Sequence, residues 1–368
     1  MTRAKHQPRS MSPIGVASLL PERARLQRRL EQQVLDHFGR QGYEEVIPPL
    51  VEYLDVMGPV LGGGLADRAY TFADRATGRL MMLRPDVTPQ IARMVAQLLA
   101  DQPGPFRFCY RATVFRHEEA HAGRDREVVQ IGVELIGPND AEADAEVITL
   151  ALSALEKLGI AGCRVALGHL GIFTGLLEGI QLSEPAVRDL RDALARRDRA
   201  ELLSLAKGLP AKTIRRFDVL LEGVGQAEIL SKARQRLQLD DGGLLAEAMQ
   251  RLSAVYKRVE AAGYGTALLV DLGEVRGPDY YTGIVFDLFA DGIGYEIGGG
   301  GRYDHLIGRF GSDRPSTGFA FYATPLLQLM ARREDSPQAA RREHGAPQVA
   351  REPSGARGRA SRGGDRGR

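Results

Sequence analysis

From Phe106 to Gly137 the chain reads FRFCYRATVFRHEEAHAGRDREVVQIGVELIG, two alternating apolar runs separated by a charged loop that contains Gly123. That pattern predicts a long antiparallel hairpin. Side chains two apart share a face, so Arg116 and Glu118 point the same way, as do Gln130, Gly132 and Glu134. Gln130 and Glu134 stand inside an otherwise apolar run, where buried polar groups demand partners. Both are therefore candidates for a ligand site. Arg124 and Arg126 flank the loop, and a planar guanidinium pairs bidentately with oxyanions. A solvated charged loop is the plainer reading of that pair.

A second stretch, Glu274 to Gly308, reads EVRGPDYYTGIVFDLFADGIGYEIGGGGRYDHLIG. Strands are expected at ALLVDL, GIVFDLFA and GYEIGG, with a glycine run at 298–301 that lets backbone approach a ligand closely. Arg276, Asp279, Tyr280, Tyr281, Arg302, Tyr303 and Asp304 cluster around these strands.

Working outward, apolar residues at helical spacing (Leu26, Leu30, Val34, Leu35, Phe38) predict a long first helix from Pro21 to Gly39. YEEVIPPLVEY follows, where Pro48 and Pro49 favour an extended edge path. The glycines of MGPVLGGGLADR suggest a mobile loop. AYTFAD and RLMMLR form a hairpin around Thr77-Gly78, and a helix starts near Thr88 with Pro89 in its first turn. A helix between Asp140 and Gly159 and a strand at CRVALGHLGIF lead into a largely helical stretch from Glu184 to Gly263.

A hydrophobic content of 43% with 26% charged residues is ordinary for a globular fold and excludes a fibrous or mostly disordered chain. No apolar run approaches a membrane span, and the first residues lack the apolar stretch of a secretory signal, so a cytoplasmic location is expected. Cys109 and Cys163 give no disulfide framework and read as reduced, buried thiols; neither zinc nor any cofactor is indicated. The net charge of +2 conceals a split, because residues 331–368 hold ten arginines against five acidic groups, leaving the rest at −3. The body is thus no basic nucleic-acid surface. The Arg/Gly-rich tail and residues 1–10 lack the apolar content to offset ordering entropy, and loose RNA or anion contact is one use for such a tail.

Over about residues 10 to 330 these motifs resemble the catalytic core of the class II histidyl-tRNA synthetases. LRPDVTP at 83–89 is similar to that family's LRPEGT-type loop, FRHEEAHAGRDREVVQIGVELIG to its motif 2, and RGPDYYTG and GGGRYD to its two histidine-specific motifs. The resemblance implies an α+β fold, an antiparallel sheet flanked by helices over 11–330 with a helical insertion at about 184–263, dimerising through the first helix and the strand after it. It implies a histidine site in which Asp86 takes the α-amino group, Thr88 lies beside it, Gln130 and Glu134 line the pocket, and Tyr281 and Tyr303 close round the imidazole with Tyr280 adjacent. Arg116 would touch the carboxylate or an ATP phosphate, and Arg276 would stand where the activating arginine stands. Independently of the family, an imidazole zwitterion calls for acceptors for its ammonium and ring N–H groups, and Asp86, Gln130 and Glu134 are acceptors.

Two departures matter. GFAFYATPLL places Pro325 where the synthetases' third motif carries an arginine that clamps ATP phosphates, and the tail after Met330 does not read as an anticodon-binding domain. That combination resembles the regulatory subunits of ATP phosphoribosyltransferase, a synthetase-like branch. The resemblance implies a non-catalytic chain that assembles as a dimer in a mixed octamer with the short catalytic subunit, transmits feedback inhibition by L-histidine, and binds no tRNA. A histidine-activating enzyme, for which Arg116 and Arg276 are retained, and an RNA-binding module acting through the tail are the alternatives.

Overall fold

The structure is a computed structural model that describes residues 12–117, 125–239 and 242–334. Residues 1–10, Glu118, Gly123, Arg124 and the tail beyond 334 lie outside the described residues. In chain order the elements are α1 (Pro21–Arg40), β1 (Glu44–Glu45), β2 (Val51–Tyr53), α2 (Leu54–Leu61), α3 (Gly63–Ala66), β3 (Thr71–Ala73), β4 (Leu80–Leu83) and α4 (Thr88–Leu98). β5 (Phe106–Phe115), β6 (Glu127–Ile136), α5 (Ala141–Lys157), β7 (Arg164–His169) and α6 (Gly171–Leu176) follow. Then come α7 (Glu184–Ala195), α8 (Arg199–Leu205), α9 (Ala211–Glu222), β8 (Val224–Gly225), α10 (Ala227–Leu237) and α11 (Leu244–Val259). The chain returns to strands with β9 (Leu268–Asp271), β10 (Ile284–Phe289), β11 (Gly298–Arg302) and β12 (Ser316–Tyr322), and α12 (Ala323–Glu334) is the last described element. Contacts divide the chain into Met1–Met330 and Ala331–Arg368.

A sheet ordered β1-β5-β6-β12-β11-β10-β7-β9-β8 forms the frame, and a small sheet β2-β4-β3 stands apart from it. The large sheet is antiparallel except where β1 runs parallel to β5 and β7 parallel to β9. The Phe106–Gly137 hairpin forms as its alternation predicts, with Phe108 opposite Glu134 and Tyr110 opposite Gly132. α1 buries Leu26, Leu30, Val34 and Phe38 along one stripe and packs on β5, β6 and α5. α5 begins where the Asp140 carboxylate accepts the Ala143 N–H at 2.8 Å, an N-cap that satisfies one orphan donor.

Several expectations are corrected. The glycine-rich segment expected as a mobile loop is helical over Leu54–Leu61 and Gly63–Ala66, because Met57 and Leu61 bury against Met82. The strand expected through Phe173 stops at His169, and α6 begins two residues later. The strand expected at GYEIGG starts only at Gly298, and the helical stretch also contributes the edge strand β8. Cys109 is buried, but Cys163 is only partly so. The Pro48–Pro49 segment lies between β1 and β2 outside any strand or helix, and buried Arg84 fastens it: its Nε donates to Thr113 O at 2.7 Å and its Nη1 to Pro48 O at 2.8 Å.

Asp144 on α5 is completely buried and accepts from Arg302 Nε at 2.8 Å on β11 and from Arg251 Nε at 2.7 Å on α11. This triad ties the helical stretch to the sheet. Removing one member of a buried charge network strands the others, so Asp144→Ala is expected to cost about 3 kcal/mol or more. A urea denaturation midpoint unchanged from that of the original chain would refute the assignment.

Candidate functional site

Residues opposite one another in paired strands point to the same face, so one face of the large sheet carries Gln130 and Glu134 of β6 beside Tyr322 and Gly318 of β12. Gly299 and Gly301 of β11 continue that face toward Asp287 and Val285 of β10. The glycines hollow it. A Cβ on Gly318 would stand 1.9 Å from Glu134 Oε2, one on Gly132 would meet the Tyr110 ring at 2.7 Å, and one on Gly299 would meet Asp287 Oδ1 at 2.7 Å. Each absent side chain leaves the space that a polar neighbour occupies.

The resulting cavity has a volume of about 780 Å³. All nine sequence-predicted residues line it: Asp86, Thr88, Arg116, Gln130, Glu134, Arg276, Tyr280, Tyr281 and Tyr303. α4 presents Thr88 at its first turn, with Asp86 just before it holding the Val87 N–H at 2.9 Å. Thr88 Oγ1 donates to Glu134 Oε1 at 2.6 Å, and the Tyr303 hydroxyl donates to Glu134 Oε2. The Tyr280 hydroxyl donates to Asp86 Oδ2 at 2.5 Å. Tyr280 also meets Tyr281 and Tyr303 edge-on, with ring centroids 5.1 and 6.0 Å apart, which makes an aromatic wall. The Gln130 amide oxygen is buried and has no hydrogen-bond partner, an acceptor that a ligand N–H would complete.

Arg302 and Asp304 do not belong to this site. Tyr303 reaches Glu134, while Arg302 bonds Asp144 of α5, because successive strand residues face opposite ways. The sequence reading also missed Glu274, Asp287, Glu296 and Tyr322, which line the cavity. Asp287 had a signal: it is a carboxylate inside the otherwise apolar strand expected at GIVFDLFA. Arg126, by contrast, is not among the lining residues, and Arg124 is outside the described ones.

Arg116, expected at a ligand carboxylate or phosphate, and Arg276, expected in the place of the activating arginine, are both engaged with the protein. Arg116 Nε donates to Pro85 O at 2.7 Å, and its Nη2 lies 3.8 Å from Asp86. Arg276 pairs with Glu274 through Nε at 3.0 Å and Nη2 at 2.5 Å. Pro325 sits in the first turn of α12, and no arginine of that helix lines the cavity.

Burial pushes the Glu134 carboxyl up to about 8; the hydroxyls of Thr88 and Tyr303 pull the other way, and the charge of Asp86 adds to the rise. Asp287 rises to about 6, through burial and then through the negative charge of Glu274, with Arg276 opposing.

The comparisons follow this geometry. The family model described as histidyl-tRNA synthetase matches residues 15–326. The chain is 38% identical over 338 residues to the ATP phosphoribosyltransferase regulatory subunit of Syntrophotalea carbinolica, covering 91% of this chain and 78% of that one. It is 39% identical over 327 residues to the subunit of the same name from Moorella thermoacetica, covering 88% and 82%. The chain belongs to the ATP phosphoribosyltransferase regulatory subunits of the histidyl-tRNA synthetase family. A solved structure from Bacillus halodurans, described as an ATP phosphoribosyltransferase regulatory subunit/histidyl-tRNA synthetase, superposes with a TM-score of 0.79 at 29% identity, covering 91% of this chain and 90% of that one. The fold is thus the class II synthetase-like α+β fold, and membership in this family places the chain in histidine biosynthesis. No described helix is long and apolar enough to cross a membrane.

Glu134 makes stability depend on pH. Between 4.5, its ordinary value, and about 8, the folded chain holds a proton that the unfolded chain has released. The contribution is full below that window and is lost as pH rises through it. The urea midpoint of the original chain is expected to fall across this range by more than that of Glu134→Gln; parallel profiles would contradict the assignment.

Proposed function

We propose that this chain is the non-catalytic, histidine-sensing subunit of a two-component ATP phosphoribosyltransferase. In this reading it assembles as a dimer within a mixed octamer with the short catalytic subunit, is required for that subunit's activity, and conveys feedback inhibition by L-histidine bound in the glycine-hollowed cavity. It binds no tRNA and carries out no chemistry itself.

The single observation that carries the reading is the cavity's polar content. Asp86, Gln130 and Glu134 supply acceptors for an ammonium and a ring N–H, and Tyr280, Tyr281 and Tyr303 form an aromatic wall. The arginines that a nucleotide would need are tied to Asp86 and Glu274. The names of the regulatory-subunit relatives support the same assignment. Inhibition requires only that histidine bind the inactive assembly more tightly than the active one, a coupling of roughly 1–3 kcal/mol.

A second reading, a histidine-activating enzyme, draws on the presence of both Arg116 and Arg276 in the cavity wall. It requires histidine-dependent exchange of pyrophosphate into ATP.

Phosphoribosyl-ATP formation by the short catalytic subunit is expected to rise when this chain is added and to fall again as histidine is titrated in. Glu134→Ala leaves Thr88 and Tyr303 without their buried acceptor, so the inhibitory histidine concentration is expected to rise at least about tenfold. Unaltered feedback in that variant would remove the cavity from the mechanism. Pyrophosphate exchange by this chain alone would favour the second reading.

A further inference from the structure

The cavity is several times larger than an amino acid requires, and its outer part is acidic. Glu274, Asp287 and Glu296 line that part, and Arg276 is the cation among them. Glu274 is nearly buried and receives three donors from this one residue: the Arg276 backbone N–H at 2.8 Å, Nε at 3.0 Å and Nη2 at 2.5 Å. The fold makes room for this carboxylate, since a Cβ on Gly168 would stand 2.6 Å from Glu274 Cβ. Arg276 Nη2 is also 4.0 Å from Asp287. Its charge is therefore matched within the wall.

We propose that Glu274 is a specificity-determining residue: by holding Arg276 against the wall beside Asp287, it makes the outer part of the cavity exclude phosphorylated ligands and confines recognition to a zwitterion or cation of amino-acid size. This rests on the reading of the cavity as an amino-acid site, and it adds what that site rejects. Setting aside Glu134, which keeps its proton up to about pH 8, the described lining residues include five carboxylates (Asp86, Glu274, Asp279, Asp287, Glu296) against three arginines (Arg68, Arg116, Arg276). A polyphosphate entering this space would meet more carboxylates than arginines, and because the side chains of Arg276 and Asp287 are 60% and 36% exposed, added salt screens the repulsion. The Asp287 carboxyl is raised first by burial and then by the charge of Glu274, with Arg276 opposing.

The test uses the full chain, with sodium tripolyphosphate as the polyanion and L-histidine as the parallel ligand, both followed by isothermal titration at low ionic strength. The original chain is expected to give no tripolyphosphate binding at millimolar concentration. Glu274→Gln frees Arg276 while keeping the side chain's size, and Asp287→Asn removes the neighbouring charge. Each is expected to raise tripolyphosphate affinity relative to histidine affinity by at least about tenfold, a gain that falls as salt is added. Glu274→Asp, which keeps the charge, is expected to restore the exclusion, an outcome that a purely structural role would not give. Tripolyphosphate binding of equal strength in the original chain and in both charge-removing variants would overturn the proposal. Absence of histidine binding to the original chain would instead overturn the amino-acid reading, so the two failures are distinguishable.

Discussion

Glu134 is a carboxylate sealed beneath a sheet face, and the arrangement of the site follows from what its burial demands. An ionised carboxylate out of water is costly unless donors surround it. Thr88 and Tyr303 arrive from α4 and from the residue after β11, segments more than two hundred positions apart, and both deliver hydroxyls to it. Gly318 leaves the volume that the carboxylate fills. These contacts do not remove the cost, which is why the group's proton affinity remains high. A ligand carrying positive charge or N–H donors relieves the remaining imbalance, and a neutral apolar ligand does not. The energetics of the site thus favour one chemical class of occupant.

The same strand edge that supplies Tyr303 also supplies Arg302, one residue earlier and on the other face. Arg302 is held by Asp144, which in turn holds Arg251 on the last helix of the helical stretch. One face of the sheet is therefore concerned with a ligand and the other with fastening the helices. Tyr303 of the cavity and Arg302 of the helix-fastening triad are adjacent residues of one backbone. Their adjacency supplies a contiguous physical connection between the two faces.

How much of this was legible follows from what leaves a periodic trace. The hairpin, α1 and α4 were readable because alternation or helical spacing runs through Phe106–Phe115, Glu127–Ile136 and Leu26–Phe38 without interruption. The segment around Gly58 to Gly64 was misread because glycine content signals freedom, whereas here burial of Met57 and Leu61 against Met82 fixes the backbone. The late start of β11 has a similar origin, since a run of four glycines has no side chains to reveal a face. The site residues were legible as members of motifs. Arg302 was wrongly grouped with them because proximity in sequence says nothing of side; the alternation through Gly301 and Tyr303 would have separated it. Glu274 and Asp287 are not legible as ligand-complementing groups, because both act on Arg276 of the protein itself.

That omission bears on what divides a sensor from an enzyme built on one fold. Catalysis of group transfer needs preorganised positive charge aimed at the oxygens where negative charge develops, and it loses orders of magnitude when one such group is removed. Sensing needs only a difference in affinity between two states of an assembly. In this cavity the arginines are present, yet their guanidinium groups are directed at Glu274, Asp86 and the Pro85 carbonyl. Retention of a residue type is therefore weaker evidence of catalysis than the direction of its hydrogen bonds. Glu274, two positions before Arg276, turns that guanidinium to the wall through Nε and Nη2, while Asp86, Gln130 and Glu134 line the cavity apart from this contact.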